Sequence, residues 1–221
     1  MRLNRYIDHT LLKATATKAD IVKLCNEAKE YDFYAVCVNG CYVELAAKEL
    51  EGTDVKIAAV IGFPLGAMTT EVKVFEAKDC IKKGASEIDM VINIGKLLEG
   101  DEKYVEKEIR LIKNEIGENT LKVIFENCYL SKKQIKKASQ LAVNAGADFV
   151  KTSTGFGTGG ATFEDVTIMD SVVDGKAQIK AAGGIRDIET ARKYIENGVT
   201  RLGTSSGVAL VTSGVSDKNQ Y

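Results

Sequence analysis

The sequence has little histidine, little proline and no long apolar run, and each shortage narrows what the chain can be. His9 is the one histidine in 221 residues, so a zinc or iron site with two or three imidazole ligands cannot be assembled within one chain. A Ser-His-Asp triad would also have to use His9, and serine-nucleophile chemistry is not expected. The longest stretch without a charged residue, Leu202 to Ser216, is short and rich in Gly, Ser and Thr. A membrane span needs roughly 20 mostly apolar residues, so a transmembrane reading is excluded. Charge of one sign is lacking too: 30 Lys and Arg against 31 Asp and Glu leave a net charge of -1. No global field would draw the chain to nucleic acid or to a membrane surface. The start Met1-Arg2-Leu3-Asn4-Arg5 leads into no apolar signal core, so the cytoplasm is the expected location. Five cysteines, an odd number with no Cys-x-x-Cys pair, suggest reduced thiols rather than a disulfide framework.

What is present is an alternation of short β-branched runs with longer segments of helical period. The strand candidates are Tyr6–Leu11, Ala35–Val38, Ile57–Ile61, Glu87–Ile92, Leu121–Phe125, Phe149–Lys151, Gln178–Ala181 and Arg201–Gly203. Most are near-continuous apolar runs, as buried parallel strands are. Between them, Ile21, Leu24, Cys25 and Ala28 recur at helical spacing behind Thr17 as an N-cap. Ser131-Lys132-Lys133-Gln134 reads as a capping box ahead of Ile135, Ala138 and Ala142. Asp187 opens a helix with Ile188, Ala191 and Ile195 on one face. Gly84, Gly146 and Gly198 each stand as a C-cap just before a strand. Eight units in 221 residues average about 28 residues each, enough for strand, loop, helix and loop. No linker divides them. An open doubly wound sheet would usually carry a Gly-x-Gly-x-x-Gly turn after its first strand, and Leu11-Leu12-Lys13-Ala14-Thr15 contains no glycine. The expected fold is therefore α/β, a single-domain (β/α)8 TIM barrel over residues 1–221, with a flexible C-terminal tail from about 213.

Barrel enzymes work at the carboxyl ends of their strands, and three strands carry a reactive group there. Lys151, preceded by Phe149 and Val150, is costly to bury charged, and desolvation pushes it toward the nucleophilic free amine. Lys180 lies on the next strand, where a second ammonium would disfavour charge on the first. Glu87 and Asp89 are two apart and share a face; Asp89, enclosed by Ile88 and Met90, can pair with ammonium and move protons. Gly183-Gly184 and Leu202-Gly203-Thr204-Ser205-Ser206-Gly207 follow strands seven and eight, where barrels commonly bind phosphate. An amine nucleophile, a lysine to tune it, a carboxylate shuttle and a phosphate cradle suit Schiff-base chemistry on a phosphorylated carbonyl compound. Other readings are another Schiff-base barrel of the transaldolase or fructose-bisphosphate type, a binding barrel without catalysis, and a proton-transferring isomerase.

Eight stretches, in order along the chain, resemble the 2-deoxyribose-5-phosphate aldolase family of class I aldolases. They are Asp8-His9-Thr10-Leu11-Leu12, Ala35-Val36-Cys37-Val38-Asn39, the segment from Val60 to Gly66, the segment from Glu87 to Asn93, Lys122-Val123-Ile124-Phe125-Glu126, the segment from Gly146 to Phe156, the segment from Ile179 to Arg186, and Arg201-Leu202-Gly203-Thr204-Ser205. The resemblance implies reversible cleavage of 2-deoxy-D-ribose 5-phosphate to acetaldehyde and D-glyceraldehyde 3-phosphate, with no metal and no cofactor. It implies Lys151 as the Schiff-base lysine, Asp89 as the relay carboxylate, and Lys180 as the lysine that tunes Lys151. Asp8 is similar to an outer relay member, Cys37 to an active-site cysteine that the mechanism does not require, and Tyr221 to a terminal tyrosine that assists proton transfer. Thr152, Thr154, Gly155, Gly183, Gly184, Gly203, Thr204 and Ser205 fall in the stretches that would hold the phosphate. The family is often dimeric, which implies a homodimer as one assembly state. The chain departs from common family choices at Phe156, where some members carry a lysine, and at Ala182, Asn39-Gly40 and Asn127.

Overall fold

A computed structural model describes residues 2–212. The chain alternates strand and helix from end to end: β1 (Ile7–Leu11), α1 (Lys18–Glu30), β2 (Ala35–Asn39), α2 (Val43–Glu49), β3 (Lys56–Ile61), α3 (Thr70–Lys82), β4 (Glu87–Val91), α4 (Ile94–Leu98), α5 (Glu102–Ile116), β5 (Thr120–Ile124), α6 (Lys132–Asn144), β6 (Phe149–Lys151), α7 (Phe163–Val173), β7 (Gln178–Ala182), α8 (Ile188–Glu196), β8 (Arg201–Thr204) and α9 (Gly207–Thr212). The strands pair in sequence order, all parallel, and β8 closes on β1 to make an eight-stranded barrel. This is the expected TIM barrel, with strand ends within a residue or two of those read from the sequence.

The local signals act as anticipated. Thr17 and Ser131 both form complete capping boxes, with Asp20 and Gln134, and the Asp187 carboxylate accepts from Thr190 N–H at the start of α8. The one adjustment is the inner face of α8: Ala191 and Tyr194 are buried, while Ile188 and Ile195 are half-buried. The Tyr194 hydroxyl donates to Ala161 O at 2.7 Å, so a buried tyrosine is satisfied where an aliphatic residue was expected.

Apolar packing sits mainly between the barrel and its helices, in one continuous cluster that includes Ile7, Ile88, Met90, Ile109, Val123 and Leu202. Inside the barrel Leu12, Cys37, Ala58 and Val60 form a second, small apolar cluster, and alternation also turns Val91, Ile124 and Phe149 inward. Among them lie long charged side chains, and their position places the chemistry.

Candidate active site

Alternation along each strand decides which side chains enter the barrel. On β4 it sends Glu87 and Asp89 inward and Ile88 and Met90 into the surrounding apolar cluster. Lys151 ends β6 and pairs in register with Lys180 on β7, and Lys122 pairs with Asp89 across β4 and β5. All are buried. Asp89 is the hub: its Oδ2 accepts from Lys151 Nζ at 2.7 Å and from Lys180 Nζ at 2.8 Å, and its Oδ1 accepts from Lys122 Nζ at 2.7 Å. Lys180 also donates to Asp8, whose other oxygen accepts from Arg201 at 2.7 Å. The structure thus brings Lys151, Asp89, Lys180 and Asp8 together as anticipated, with Cys37 at their edge. Tyr221 lies outside the described residues.

The two lysines differ in their electrostatics. Burial pushes the Lys151 amine below the ordinary lysine range; Asp89 resists this, and neighbouring Lys180 reinforces it. Burial also opposes charge on Lys180, but Asp8 and Asp89 outweigh it and hold that ammonium above the ordinary range. Burial would raise Asp89, yet Lys122, Lys151 and Lys180 together keep it well below the usual carboxylate range. One amine is therefore poised to be free beside one that stays charged. Burial raises the Cys37 thiol, so it stands as a neutral wall of the site.

Three residues escaped the sequence reading of roles. Lys122 is the middle residue of β5, and Arg201 begins β8, where a basic residue usually faces water; Arg201 instead stacks 3.5 Å over the Tyr34 ring and is bound by Glu87 and Asp8. Glu126, just past β5, has left-handed backbone at φ 56, an uncommon conformation for a non-glycine residue that often marks functional sites. Its buried carboxylate accepts from Thr154 N at 3.1 Å and from the Thr154 hydroxyl, anchoring the loop that follows Lys151. Burial holds this carboxyl above the ordinary glutamate range.

The residues expected to hold phosphate gather at the mouth, with their hydroxyls differently employed. The Thr152, Thr154 and Thr204 hydroxyls donate to Ala182 O, Glu126 and Ile185 O respectively. They shape the loops, which leaves backbone N–H groups as the natural anion donors. Gly203 has a further reason to be glycine: a Cβ there would stand 3.1 Å from Lys180 Cε. Gly184 has φ +81 and open space where a Cβ would stand. Lys13, Thr154, Phe156 and Ser205 line one small cavity with Thr10, Leu11 and Leu12. Gly203 to Gly207 also spells Gly-x-Ser-x-Gly, and His9 lies nearby, yet no catalytic triad forms. His9 Nε2 binds Glu27 at 2.7 Å and its Nδ1 has no hydrogen-bond partner among the described residues.

Comparison with known proteins agrees with this geometry. The model of the DeoC/LacD family aldolases matches residues 3–213. The chain belongs to that aldolase family. Similar proteins include the deoxyribose-phosphate aldolases of Finegoldia magna, 56% identical over 96% of this chain and 99% of that one, and of Deinococcus radiodurans, 56% identical over 97% of each. Among solved structures, a candidate deoxyribose-phosphate aldolase from Coccidioides immitis superposes with a TM-score of 0.94 at 43% identity, covering 96% of this chain and 85% of that one. A tetrameric deoxyribose phosphate aldolase from Aeropyrum pernix superposes at 0.87 with 34% identity, covering 96% and 90%. No helix among the described residues is long and apolar enough to cross a membrane.

Proposed function

We propose that this aldolase is a class I, Schiff-base enzyme that reversibly cleaves 2-deoxy-D-ribose 5-phosphate into acetaldehyde and D-glyceraldehyde 3-phosphate. The observation that carries the reading is the buried Lys151 amine, 2.7 Å from Asp89 and in register with Lys180. Lys151 Nζ adds to the aldehyde carbon of the open-chain sugar, and loss of water gives an iminium. The C3 hydroxyl proton passes by way of a water to Asp89 as the C2–C3 bond breaks. The electron pair of that bond moves through C2 to the iminium nitrogen, leaving an enamine and releasing glyceraldehyde 3-phosphate. Protonation at C2 and addition of water then free acetaldehyde and restore the amine. The iminium nitrogen takes the electron pair, so the cycle requires no metal.

At the other end of the substrate, the phosphate rests on the loops after β6, β7 and β8, held by backbone N–H groups around Gly155, Gly183, Gly184 and Ser205, with Lys13 as the basic residue lining that mouth. The five cysteines stand as free thiols, which suits the reducing cytoplasm. A coupled assay of acetaldehyde and glyceraldehyde 3-phosphate release tests the reading. Stoichiometric release of both from deoxyribose 5-phosphate, unchanged by EDTA and much slower from unphosphorylated deoxyribose, is the expected result. Turnover of fructose bisphosphate or a transaldolase donor instead would assign the barrel to another Schiff-base reaction.

A further inference from the structure

The charged groups inside the barrel form a closed figure. Asp8 is bound by Lys180 and Arg201, Asp89 by Lys180 and Lys122, and Glu87 by Lys122 at 2.5 Å and Arg201 at 3.1 Å. Traced in order, Asp8, Lys180, Asp89, Lys122, Glu87 and Arg201 make a ring of alternating sign, three cations and three carboxylates, that returns to Asp8. Each ring cation touches two carboxylates, and Lys122 also lies 3.8 Å from a third, Asp8. Lys151 stands outside the ring as a fourth cation and touches only Asp89, on the oxygen that Lys180 already holds.

Burying charge is tolerable only when it is balanced. The ring is balanced without Lys151, so the proton on that amine is surplus to the ring. Asp8 touches neither Lys151 nor Asp89 but holds Lys180, whereas Glu87 and Arg201 bind none of Lys151, Asp89 and Lys180. We propose that they are positioning residues: by closing the ring one layer below the site, they make Lys151 the group that gives up its proton, and so set the pH at which the nucleophile becomes available. This rests on Lys151 acting as the Schiff-base nucleophile.

The charged or titratable groups around Lys151 are Asp89 on β4, Lys180 on β7, Lys122 on β5 with Glu126 beyond its end, Cys37 on β2, Asp8 on β1 and Arg201 on β8. Removing a ring cation leaves a carboxylate deficit of charge that a protonated Lys151 can fill. Removing a ring carboxylate leaves a second surplus proton. The two changes therefore act in opposite directions, which a merely structural role would not produce.

The test measures the rate of imine capture by the protein with acetaldehyde and cyanoborohydride across pH, together with the pH profile of sugar-phosphate cleavage. In Arg201→Met the acid limb moves up by about one pH unit, and in Glu87→Gln it moves down by about as much. Arg201→Lys and Glu87→Asp, which keep the charge, leave the limb near its wild-type position. If Arg201→Met does not fold, the downward shift in Glu87→Gln against its absence in Glu87→Asp still decides. Shifts in the same direction for both neutral variants, or no shift in either, would overturn the proposal while leaving the class I reading intact. Absence of any adduct on folded wild-type protein would overturn that reading and this inference with it.

Discussion

Asp89 shows how one carboxylate can serve three ammonium groups without being neutralised by any of them. Its two oxygens receive Lys122, Lys151 and Lys180 within 2.8 Å, so conversion of Lys151 to an imine leaves the anion still held by two partners. That makes Asp89 a fixed proton station beside the bond that breaks. In Asp89→Asn the amide keeps the shape but loses the charge and the proton capacity. The expected outcome is a fall in cleavage rate of roughly 10²–10⁴-fold, with imine formation still detectable by borohydride trapping. A variant that cleaves within threefold of wild type would remove Asp89 from the mechanism. The sequence reading singled out this residue, Lys151 and Lys180 because each lies in a strand whose neighbours are apolar, and the family resemblance then implied their roles. It did not assign Lys122 or Arg201, because a basic residue in a strand looks the same whether it faces water or a charged interior.

The loops and helices that hold these strands carry their own buried chemistry. Lys73 on α3 is fully buried, donates to Glu108 on α5 at 2.9 Å, and also donates to Val91 O at the end of β4. Burial lowers the Lys73 ammonium and raises the Glu108 carboxyl, each against the pull of the other. Taking away one partner strands the other in an apolar site. Lys73→Met is therefore expected to cost about 3–5 kcal/mol, while Lys73→Met with Glu108→Leu costs far less than the sum of the single changes. Urea unfolding midpoints of the three variants check this; additive losses would show that the pair is not coupled. The loop after β6 depends in the same way on Glu126. Replacing it with Ala removes the acceptor for both Thr154 donors, and a loss of roughly 1–3 kcal/mol in the same measurement is expected. Neither helix pairing nor loop anchoring was legible in the sequence. The sequence reading singled out neither α3 nor α5, hydrophobic period alone does not say that a lysine and a glutamate meet between two helices, and nothing local marks Glu126 as left-handed.

At the scale of the molecule, the fold separates an apolar outer core from a charged inner one. The first was legible, since eight apolar runs divided by capped helices admit few architectures. The second was not, since the ring of charges closes between residues as distant as Asp8 and Arg201, 193 positions apart. That ring also makes acid stability a property of the barrel as a whole. Burial would raise Asp8, but Lys180, Arg201 and Lys122 hold it far below its ordinary value of 3.8, and Asp89 is depressed likewise. A carboxyl depressed in the folded state contributes stability that is fully present above its unfolded value and is lost as pH falls through the folded one. Stability from urea unfolding should thus carry the full contribution of these groups, unchanged, between pH 5 and 7 and fall progressively below about pH 4; a flat profile down to pH 2 would contradict the ring's contribution. The central claim is nearer the mouth, that Lys151 forms a covalent imine with its substrate. The direct measurement is intact mass and peptide mapping after incubation with acetaldehyde or deoxyribose 5-phosphate and borohydride. One adduct, on Lys151 and absent from Lys151→Leu, is the predicted result; an adduct on Lys180 instead, or none on the folded protein, would contradict it.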